Sequence, residues 1–406
     1  MKYVVAFDVS KGKSTLVIYN DQKHCLFEGE IDHSQADFET LHKRMELLEQ
    51  QSGQKPDIVF EATGVYSKAL EKFLQDHGYT YYRLNPLEAK LQTSTMRRNK
   101  TDKSDAHELA KTHFKIDRNP TFQQDTYFNQ MRALSRYYDE VDEELIQLQG
   151  KMHAVLHLSF PELERVITPS SALFLNIVQL YPHPSFLLVQ SKAVIRNRLK
   201  KNTRKNLSLK LADKKAQELL LVARNSYPAI CASDVRCEQV RDYTRRIADL
   251  RNKKENIIAK MVALSVDRKE YHILRSFPGI GDPTACRIIG ELGDIRRFKN
   301  AKQLNAYVGI DIMRYQSGNT QYRDRINKRG NKKIRKILYF MIFSMISLRK
   351  KGNNHIVDYY DKLKKQPQRK PHKVAMIACI NKFLKVAFHL ILHDILYDYE
   401  RASAHS

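Results

Sequence analysis

The feature that most constrains the fold is the alternation of strand-like and helix-like segments at the start of the chain. Short β-branched and aromatic runs are typical of buried strands and occupy residues 3–7, 16–19, 25–31, 57–60 and 80–84. Helical periodicity occupies residues 38–50 and 66–77, and it returns from Ala106 onward. The resulting order, β-β-β-α-β-α-β-α, predicts a mixed α/β domain.

Acidic residues mark the ends of two of these predicted strands and the start of a helix. Asp8 follows the first strand, Glu61 ends the fourth, and Asp102 and Asp105 precede the helical pattern. Ligands gather at strand ends in open α/β sheets, and residues three apart share one side of a helix. Four carboxylates from three segments are able to hold two divalent ions around a phosphodiester. We therefore predict a Mg²⁺ site, since Mg²⁺ prefers carboxylate oxygens and waters.

Each of these acids also has an ordinary structural interpretation. Asp102 is a suitable helix N-cap, and Asp105 would then favour the positive end of the helix dipole. Asp8 or Glu61 alone is more often a turn or cap residue. Their joint occurrence favours the metal site.

The charge of the chain indicates a nucleic-acid partner. Its 406 residues carry 70 Lys and Arg against 45 Asp and Glu, a net charge of +25. A solvated basic surface is the alternative, but a surplus this large is typical of proteins that bind phosphates. The predicted contacts near the acids are Lys11, Arg97, Arg98 and Lys100.

Composition and length exclude several other classes of protein. The five cysteines are irregularly spaced and form no CxxC pair, which argues against a disulfide framework or a zinc ribbon. The apolar run at residues 1–7 is too short for a signal peptide, and the apolar run at residues 337–348 is too short to span a bilayer. We expect two or three domains, no membrane segment and a cytoplasmic location.

Two long segments in the middle of the chain have heptad-like apolar spacing. Residues 129–158 and 236–264 predict long helices that pair as a coiled coil, with each other or with a second protomer. An ordinary bundle face is equally consistent with the spacing. Between them, residues 165–235 predict a helical insertion whose basic stretch, 196–215, is either a nucleic-acid contact or a solvated face.

The last third contains a glycine turn and a serine turn. Gly279 and Gly281 lie in a Pro-Gly-Ile-Gly turn between two predicted helices, where backbone N–H groups suit a phosphate, although helix packing alone explains such glycines. Ser317 lies in a Ser-Gly-Asn turn and is by itself more often a turn residue. A cationic cluster able to stabilise a phosphorane surrounds it in sequence: Arg314, Arg323, Arg325, Lys328 and Arg329. A final amphipathic helix is predicted over residues 373–398.

Several of these motifs together resemble a known family. Phe7-Asp8-Val9-Ser10-Lys11, Glu61-Ala62-Thr63-Gly64-Val65-Tyr66 and Lys100-Thr101-Asp102-Lys103-Ser104-Asp105-Ala106 look like the DEDD transposases of bacterial insertion sequences, which are bridge-RNA-guided recombinases. Pro278-Gly279-Ile280-Gly281, Gln316-Ser317-Gly318 and Lys328-Arg329-Gly330-Asn331 resemble their C-terminal domain.

The resemblance implies an architecture and a set of roles. It implies an RNase H-like (RuvC-like) domain over residues 1–128, a coiled-coil middle over 129–265 and a mainly helical C-terminal domain over 266–406 with a helix-hairpin-helix. It further implies that Asp8, Glu61, Asp102 and Asp105 bind metal, and that Ser317 is the nucleophile. A noncoding bridge RNA would pair with both donor and target DNA.

Three functional hypotheses follow from these observations. The first is a transposase that exchanges DNA strands through a covalent phosphoserine, because a serine ester retains the phosphodiester energy for rejoining. The second is a Mg²⁺-dependent Holliday-junction-type nuclease in which Ser317 is only a turn residue. The third is a basic binding protein without chemistry. Four DNA ends in recombination predict a dimer that becomes a tetramer when active.

Overall fold

The computed structural model describes residues 2–93, 102–169, 171–201, 207–313, 316–317, 320–321, 324–367 and 369–404. At Asp102 and Ser317 the backbone is described and the side chain is not. The chain divides into two compact units, Met1–Gln123 and Gln124–Ser406.

The first unit is built on a five-stranded mixed sheet. Its strands and helices are β1 (Val4–Val9), β2 (Lys13–Tyr19), β3 (Cys25–Asp32), α1 (Gln35–Ser52), β4 (Asp57–Glu61), α2 (Lys68–Asp76), β5 (Tyr81–Leu84), α3 (Pro86–Thr93) and α4 (Asp102–His113). The strand order is β3-β2-β1-β4-β5, with β1, β2 and β3 antiparallel in turn and β4 and β5 continuing parallel to β1. The predicted mixed α/β arrangement is confirmed, and α3 is an addition that the sequence pattern did not predict.

Alternating side chains of the sheet pack into two separate hydrophobic cores, one on each face. Val5 and Phe7 of β1 pack with α1 and α2 on one face. Val4 and Ala6 pack on the other face, where the apolar residues of α4 cover them. Since successive strand residues point to opposite faces, the next even-numbered residue of β1, Asp8, belongs to the face that α4 covers.

The second unit is mostly helical. Its first helices are α5 (Thr126–Ser159), α6 (Leu163–Val166), α7 (Ala172–Leu180), α8 (Pro184–Leu188), α9 (Lys192–Lys201), α10 (Leu209–Asn225) and α11 (Val235–Ser265). They are followed by α12 (Lys269–Arg275), α13 (Asp282–Leu292), the 3-10 helix Ile295–Arg297 and α14 (Ala301–Val308). The last helices are α15 (Lys332–Ser347), the 3-10 helix Arg349–Lys351, α16 (His355–Lys364), α17 (His372–Leu392) and α18 (Tyr399–Ala404).

The two long helices predicted from the heptad-like spacing are confirmed as α5 and α11. They pack against each other within the chain, and residues such as Met131 and Ile257 enter one core that extends to α17. Coiled-coil geometry stays a prediction. The domain boundary predicted at residue 265 coincides with the end of α11, but this core continues past it, so that boundary also stays a prediction.

The final long helix is shorter than predicted. α17 ends at Leu392, because Asp394 adopts a positive φ of 55° and Ile395 N–H returns to the carbonyl of Leu390. Among the described residues, α17 alone is long and apolar enough to cross a membrane, and half of its most apolar stretch is buried. That burial is typical of a core helix, so length and composition are weak evidence for a membrane span.

Two short antiparallel strand pairs, which we call the ribbon, lie between α14 and α15 in the chain. β6 (Ile312–Met313) pairs with β9 (Arg325–Ile326), and β7 (Gln316–Ser317) pairs with β8 (Thr320–Gln321). The four strands form two antiparallel pairs, and each strand has two residues. Ser317 therefore lies opposite Thr320 in the second strand pair.

Candidate active site

The structure places two of the predicted acidic residues at one edge of the mixed sheet. β1 and β4 are parallel neighbours, with Phe7 beside Phe60. Asp8 and Glu61 are the next residues of the two strands, and each is partly exposed. By alternation both lie on the face that α4 covers, so two carboxylates project from adjacent strand ends toward the same helix.

The helix that covers this face begins with the other two predicted acids. α4 starts at Asp102 and packs on β1, β2 and β4 through Ala106, Leu109 and Ala110. Asp105 is partly exposed and lies one turn before Leu109. The first turn of α4 is thus on the same side of the sheet as Asp8 and Glu61.

The four carboxylates have the donor chemistry that Mg²⁺ requires. No three His, Cys, Asp or Glu side chains are gathered closely enough to hold a metal within the described part of the chain, and the Asp102 side chain lies outside it. Mg²⁺ needs only one or two carboxylates, because waters and phosphates complete its shell. The donor set therefore fits this ion.

Thr63 adds an unexplained polar group to the loop that follows Glu61. Its Oγ1 is buried and has no hydrogen-bond partner among the residues that the structure describes. A buried hydroxyl without a partner costs about 1–3 kcal/mol, so its retention is compatible with a ligand oxygen or water at this edge. In the sequence Thr63 lies within the Glu61-Ala62-Thr63-Gly64 motif, where no neighbouring residue indicates a role for its hydroxyl.

Hydrogen bonds to distant strands fix the position of α4. His107 contacts the Tyr19 hydroxyl through Nδ1 at 2.7 Å and Oε2 of Glu28 through Nε2 at 3.2 Å. At the end of the helix, His113 Nε2 lies 2.9 Å from Oδ2 of Asp57. Burial alone would raise the pKa of Asp57, but hydrogen bonds from His113 and Lys2 outweigh it and lower that pKa. These contacts were not predicted, and they hold Asp105 over the sheet.

The base of the ribbon that contains Ser317 is closely fitted to its surroundings. Asn327 Nδ2 donates to Oδ2 of Asp311 at 3.0 Å, and Arg335 Nη1 donates to the carbonyl of Val308 at 2.7 Å. A Cβ at Gly330 would lie 2.3 Å from the carbonyl oxygen of Tyr307, so only glycine fits there. The base of the ribbon is therefore held in one place.

Four of the basic residues predicted to contact nucleic acid lie in the part of the chain that the structure describes. Arg325, Lys328 and Arg329 are exposed at the base of the ribbon. Lys11 is exposed in the turn between β1 and β2. The remaining predicted contacts lie outside the described residues: Arg97, Arg98, Lys100, Arg314 and Arg323.

The Pro-Gly-Ile-Gly turn joins α12 to α13 and packs against α15. Gly279 has a positive φ of 94°, and a Cβ there would lie 3.1 Å from the Cα of Met345. Asp282 already occupies the N-terminal turn of α13, where Arg275 and Tyr271 contact its carboxylate. Helix packing therefore accounts for Gly279, and phosphate binding by Gly279 and Gly281 stays a prediction.

The basic part of the insertion lies on α9 and α10, which pack together. Asp213 of α10 pairs with Lys192 at 2.5 Å and with Arg196 at 3.8 Å. Part of the positive charge is thereby balanced within the insertion. For residues 196–215, a nucleic-acid contact and a solvated face both stay predictions.

Comparison with known sequences identifies two transposase families over different parts of the chain. The transposase family DEDD_Tnp_IS110 matches residues 5–161, and the Transposase IS116/IS110/IS902 family matches residues 271–360. The first range includes Asp8, Glu61, Asp102 and Asp105, and the second includes Ser317.

Curated relatives are similar over about a third of the chain. The transposase for insertion sequence element IS1111A of Coxiella burnetii is 27% identical over 142 residues, 34% of this chain and 37% of that protein. The insertion element IS110 uncharacterized 43.6 kDa protein of Streptomyces coelicolor is 22% identical over 126 residues, 31% of this chain and 30% of that protein. The chain thus matches well under half the length of either relative.

Two solved structures of RuvC show a weaker likeness. Thermus thermophilus RuvC in complex with a Holliday junction substrate is 13% identical, with 30% of this chain and all of that chain covered, at a TM-score of 0.23. A second structure of Thermus thermophilus RuvC is 14% identical over 29% of this chain and 99% of its own, also at a TM-score of 0.23. A TM-score this low does not establish a common fold.

Proposed function

Since the chain belongs to the IS110 family of transposases, we propose that it cuts and rejoins DNA strands as the transposase of a bacterial insertion sequence. The observation that carries this proposal is the placement of Asp8 and Glu61 at the ends of adjacent parallel strands beneath α4. An RNase H-like (RuvC-like) role for the first unit is consistent with its strand order of β3-β2-β1-β4-β5.

In this proposal Asp8, Glu61, Asp102 and Asp105 hold Mg²⁺. When bound, the ion would neutralise the clustered carboxylates and stabilise the negative charge of a phosphate undergoing displacement. The residues of the chain supply the rest: the strand ends fix two carboxylates, and the hydrogen bonds of His107 and His113 fix the helix that contributes the others. Thr63 Oγ1 is placed to donate to an oxygen at this edge.

The proposed covalent step uses the Ser317 hydroxyl. As its proton leaves, the Oγ–P bond forms and the bond from phosphorus to the departing DNA oxygen breaks, and that oxygen takes up a proton. No water is consumed, so another DNA hydroxyl is able to attack the serine ester and rejoin a strand. The exposed cations Arg325, Lys328 and Arg329 supply positive charge at the base of the ribbon.

A Mg²⁺-dependent junction nuclease is the alternative function. The sheet-edge carboxylates alone are suited to hydrolysis, because activation of water requires no serine. The two functions differ in the fate of the phosphate, which becomes a serine ester in the first and a free end in the second.

A noncoding bridge RNA is the proposed source of sequence specificity for donor and target DNA. The net charge of +25 suits contacts with phosphates, which position a duplex without reading it. Pairing with a guide then needs only a scaffold that recognises helical shape. Changing the target-pairing loop of the RNA, with the protein unchanged, should redirect insertion, and insertion that persists at the old site would contradict this role.

The proposed active assembly is a tetramer formed from two dimers. α5 and α11 bury apolar surface by packing on each other. Tyr137 and Ile146 of α5 nevertheless remain 40% and 58% exposed. These side chains are available for a second protomer. Light scattering of the complex with DNA and RNA tests this, since a monomeric complex would contradict it.

The metal role is tested by paired substitutions of aspartates. Asp8→Asn should abolish strand cleavage while the protein keeps its circular dichroism spectrum, because the change removes charge rather than volume. Asp21→Asn is the matched control, since Asp21 is exposed in the turn between β2 and β3 at the opposite edge of the sheet. Equal cleavage by both variants, or full activity of the unaltered protein in excess EDTA, would contradict the proposal.

A further inference from the structure

An exposed stripe of lysines and phenylalanines runs along one side of α15. Lys332, Lys336, Phe340, Phe343 and Ser347 are all exposed, at intervals of three or four residues. Residues at this spacing lie on one face of a helix, so the five side chains form a continuous line. At sixteen residues, α15 makes this line about 24 Å long.

The two phenylalanines on this line are largely exposed, and the ring of Phe340 meets its neighbour Tyr339 edge-on with 6.1 Å between centroids. The side chains of Phe340 and Phe343 are 59% and 53% exposed, whereas the opposite face of α15 is buried in the core. Large exposed aromatic residues in a pair usually mark an interaction surface rather than a solvated one.

The charge around these rings identifies the kind of partner. Residues 325–351 contain ten Lys and Arg and no Asp or Glu. Acidic residues from other elements reach two of these cations, with Asp139 at 3.3 Å from Lys333 and Asp361 at 3.5 Å from Arg349. Lys332 and Lys336, which lie on the line itself, take part in no ion pair within the described part of the chain.

A second copy of the chain is a poor match for this surface. Two-fold contact between identical surfaces would bring Lys332 and Lys336 against their own copies, and like charges across an interface are unfavourable. An anionic partner with flat apolar groups would instead attract the lysines and stack on the phenylalanine rings. Unpaired nucleotides combine both features, because phosphates pair with cations and bases stack on aromatic rings.

We propose that the exposed face of α15, defined by Lys332, Lys336, Phe340 and Phe343, binds a single unpaired DNA strand through stacking of bases on the two phenylalanines. α15 begins directly after the ribbon that contains Ser317, so its partner is the strand to be cut rather than the guide. This assignment of DNA rests on the proposed function. This face would hold the separated DNA strand in place during strand exchange.

The test measures the affinity of the full chain for fluorescent oligonucleotides by anisotropy. Phe340→Ala with Phe343→Ala should weaken binding of single-stranded DNA by roughly tenfold or more and change duplex binding by less than about twofold, because paired bases cannot stack on the rings. Phe340→Tyr with Phe343→Tyr should retain binding. Tyr227→Ala is the matched control, since Tyr227 is an aromatic residue 91% exposed elsewhere in the same unit.

Charge and partner identity are tested in separate arms. Lys332→Gln with Lys336→Gln should weaken binding of both single-stranded and duplex DNA. The slope of log affinity against log salt concentration should fall by about two, because each phosphate contact contributes about one to that slope. Equal loss of single-stranded and duplex DNA in the phenylalanine variant would overturn the proposal. So would a larger loss for single-stranded RNA of the same sequence, or dissociation of a protein dimer in the absence of nucleic acid.

The result is separable from the proposed function. If the phenylalanine variant binds single strands normally while the unaltered protein forms a covalent DNA adduct, the surface assignment fails and the transposase chemistry stands. If single-strand binding is lost as expected but no adduct forms with any DNA, the surface stands and the proposed chemistry fails.

Discussion

The side-chain amide of Asn331 donates a hydrogen bond of 2.7 Å to Oε2 of Glu291, a residue whose side chain has no exposed surface. Asn331 also caps α15, because its Oδ1 accepts from the N–H groups of Lys333 and Ile334. One residue thus joins the end of α13 to the start of α15. The ribbon that contains Ser317 precedes Asn331 in the chain, so this contact lies next to its base.

The first prediction concerns the stability that this contact provides. Asn331→Ala should lower the free energy of unfolding by roughly 3 kcal/mol, because it removes a helix cap and a donor to a buried carboxylate. Asn300→Ala removes only a cap, since Asn300 accepts from Gln303 N–H at 3.0 Å, and should cost about 1 kcal/mol. Urea denaturation measures both, and equal losses would contradict a special role for the Glu291 contact.

The second prediction concerns the tie between α4 and the sheet. Tyr19→Phe removes the hydroxyl that contacts His107 at 2.7 Å and leaves the ring in place. Amide hydrogen exchange in α4 should become faster, because a hydrogen bond that anchors the helix is lost. Strand cleavage should fall with it, since α4 positions Asp105.

A matched variant on the other face of the sheet provides the control for α4. The Tyr79 hydroxyl contacts His42 of α1 at 2.9 Å, so Tyr79→Phe also removes one hydroxyl with a histidine partner. Exchange in α4 should be unchanged by Tyr79→Phe. Equal acceleration by both variants would show a general loss of stability instead of a positioning effect.

The third prediction is a pH dependence of stability from His355. Burial, together with the positive charge of Lys382, lowers the pKa of His355 to about 4. The unfolded chain binds this proton below about pH 6.5, whereas the folded chain does not until about pH 4, so stability is full above pH 6.5 and decreases as pH falls toward 4. Between pH 7 and pH 5 the protonation of His355 should lower the free energy of unfolding by about 2 kcal/mol.

His355→Gln isolates this contribution. The amide retains a group able to reach the Tyr397 hydroxyl, which contacts His355 Nδ1 at 2.8 Å, but it does not titrate. Denaturation at pH 7 and pH 5 should show a smaller decrease for the variant than for the unaltered protein. The same decrease in both would assign the effect to other histidines.

Local patterns were sufficient to predict the elements that position the candidate site. The β-branched run that ends at Asp8 and the run that ends at Glu61 each have their own periodicity, and the structure places them as neighbouring parallel strands. The long helices α5 and α11 followed from apolar spacing in the same way. Such elements are determined by residues close together in the chain.

Contacts between distant residues could not be predicted from those patterns. Tyr19 and His107 are 88 residues apart, and neither has a neighbouring signal that specifies the other. The short helix α3 was missed because its eight residues contain little apolar periodicity. The exposed phenylalanines of α15 lie in an apolar run, and only the packed structure shows which face of that helix is left exposed.

The most direct test of the central claim is whether Ser317 becomes covalently bound to DNA. The full chain would be incubated with Mg²⁺, bridge RNA and DNA containing the ends of the insertion sequence, denatured, digested and analysed by mass spectrometry. The account predicts a nucleotide phosphate on the peptide that contains Ser317, and its absence with Ser317→Ala. Cleavage by Ser317→Ala at the rate of the unaltered protein, with no peptide adduct in either, would contradict the account and favour a hydrolytic nuclease.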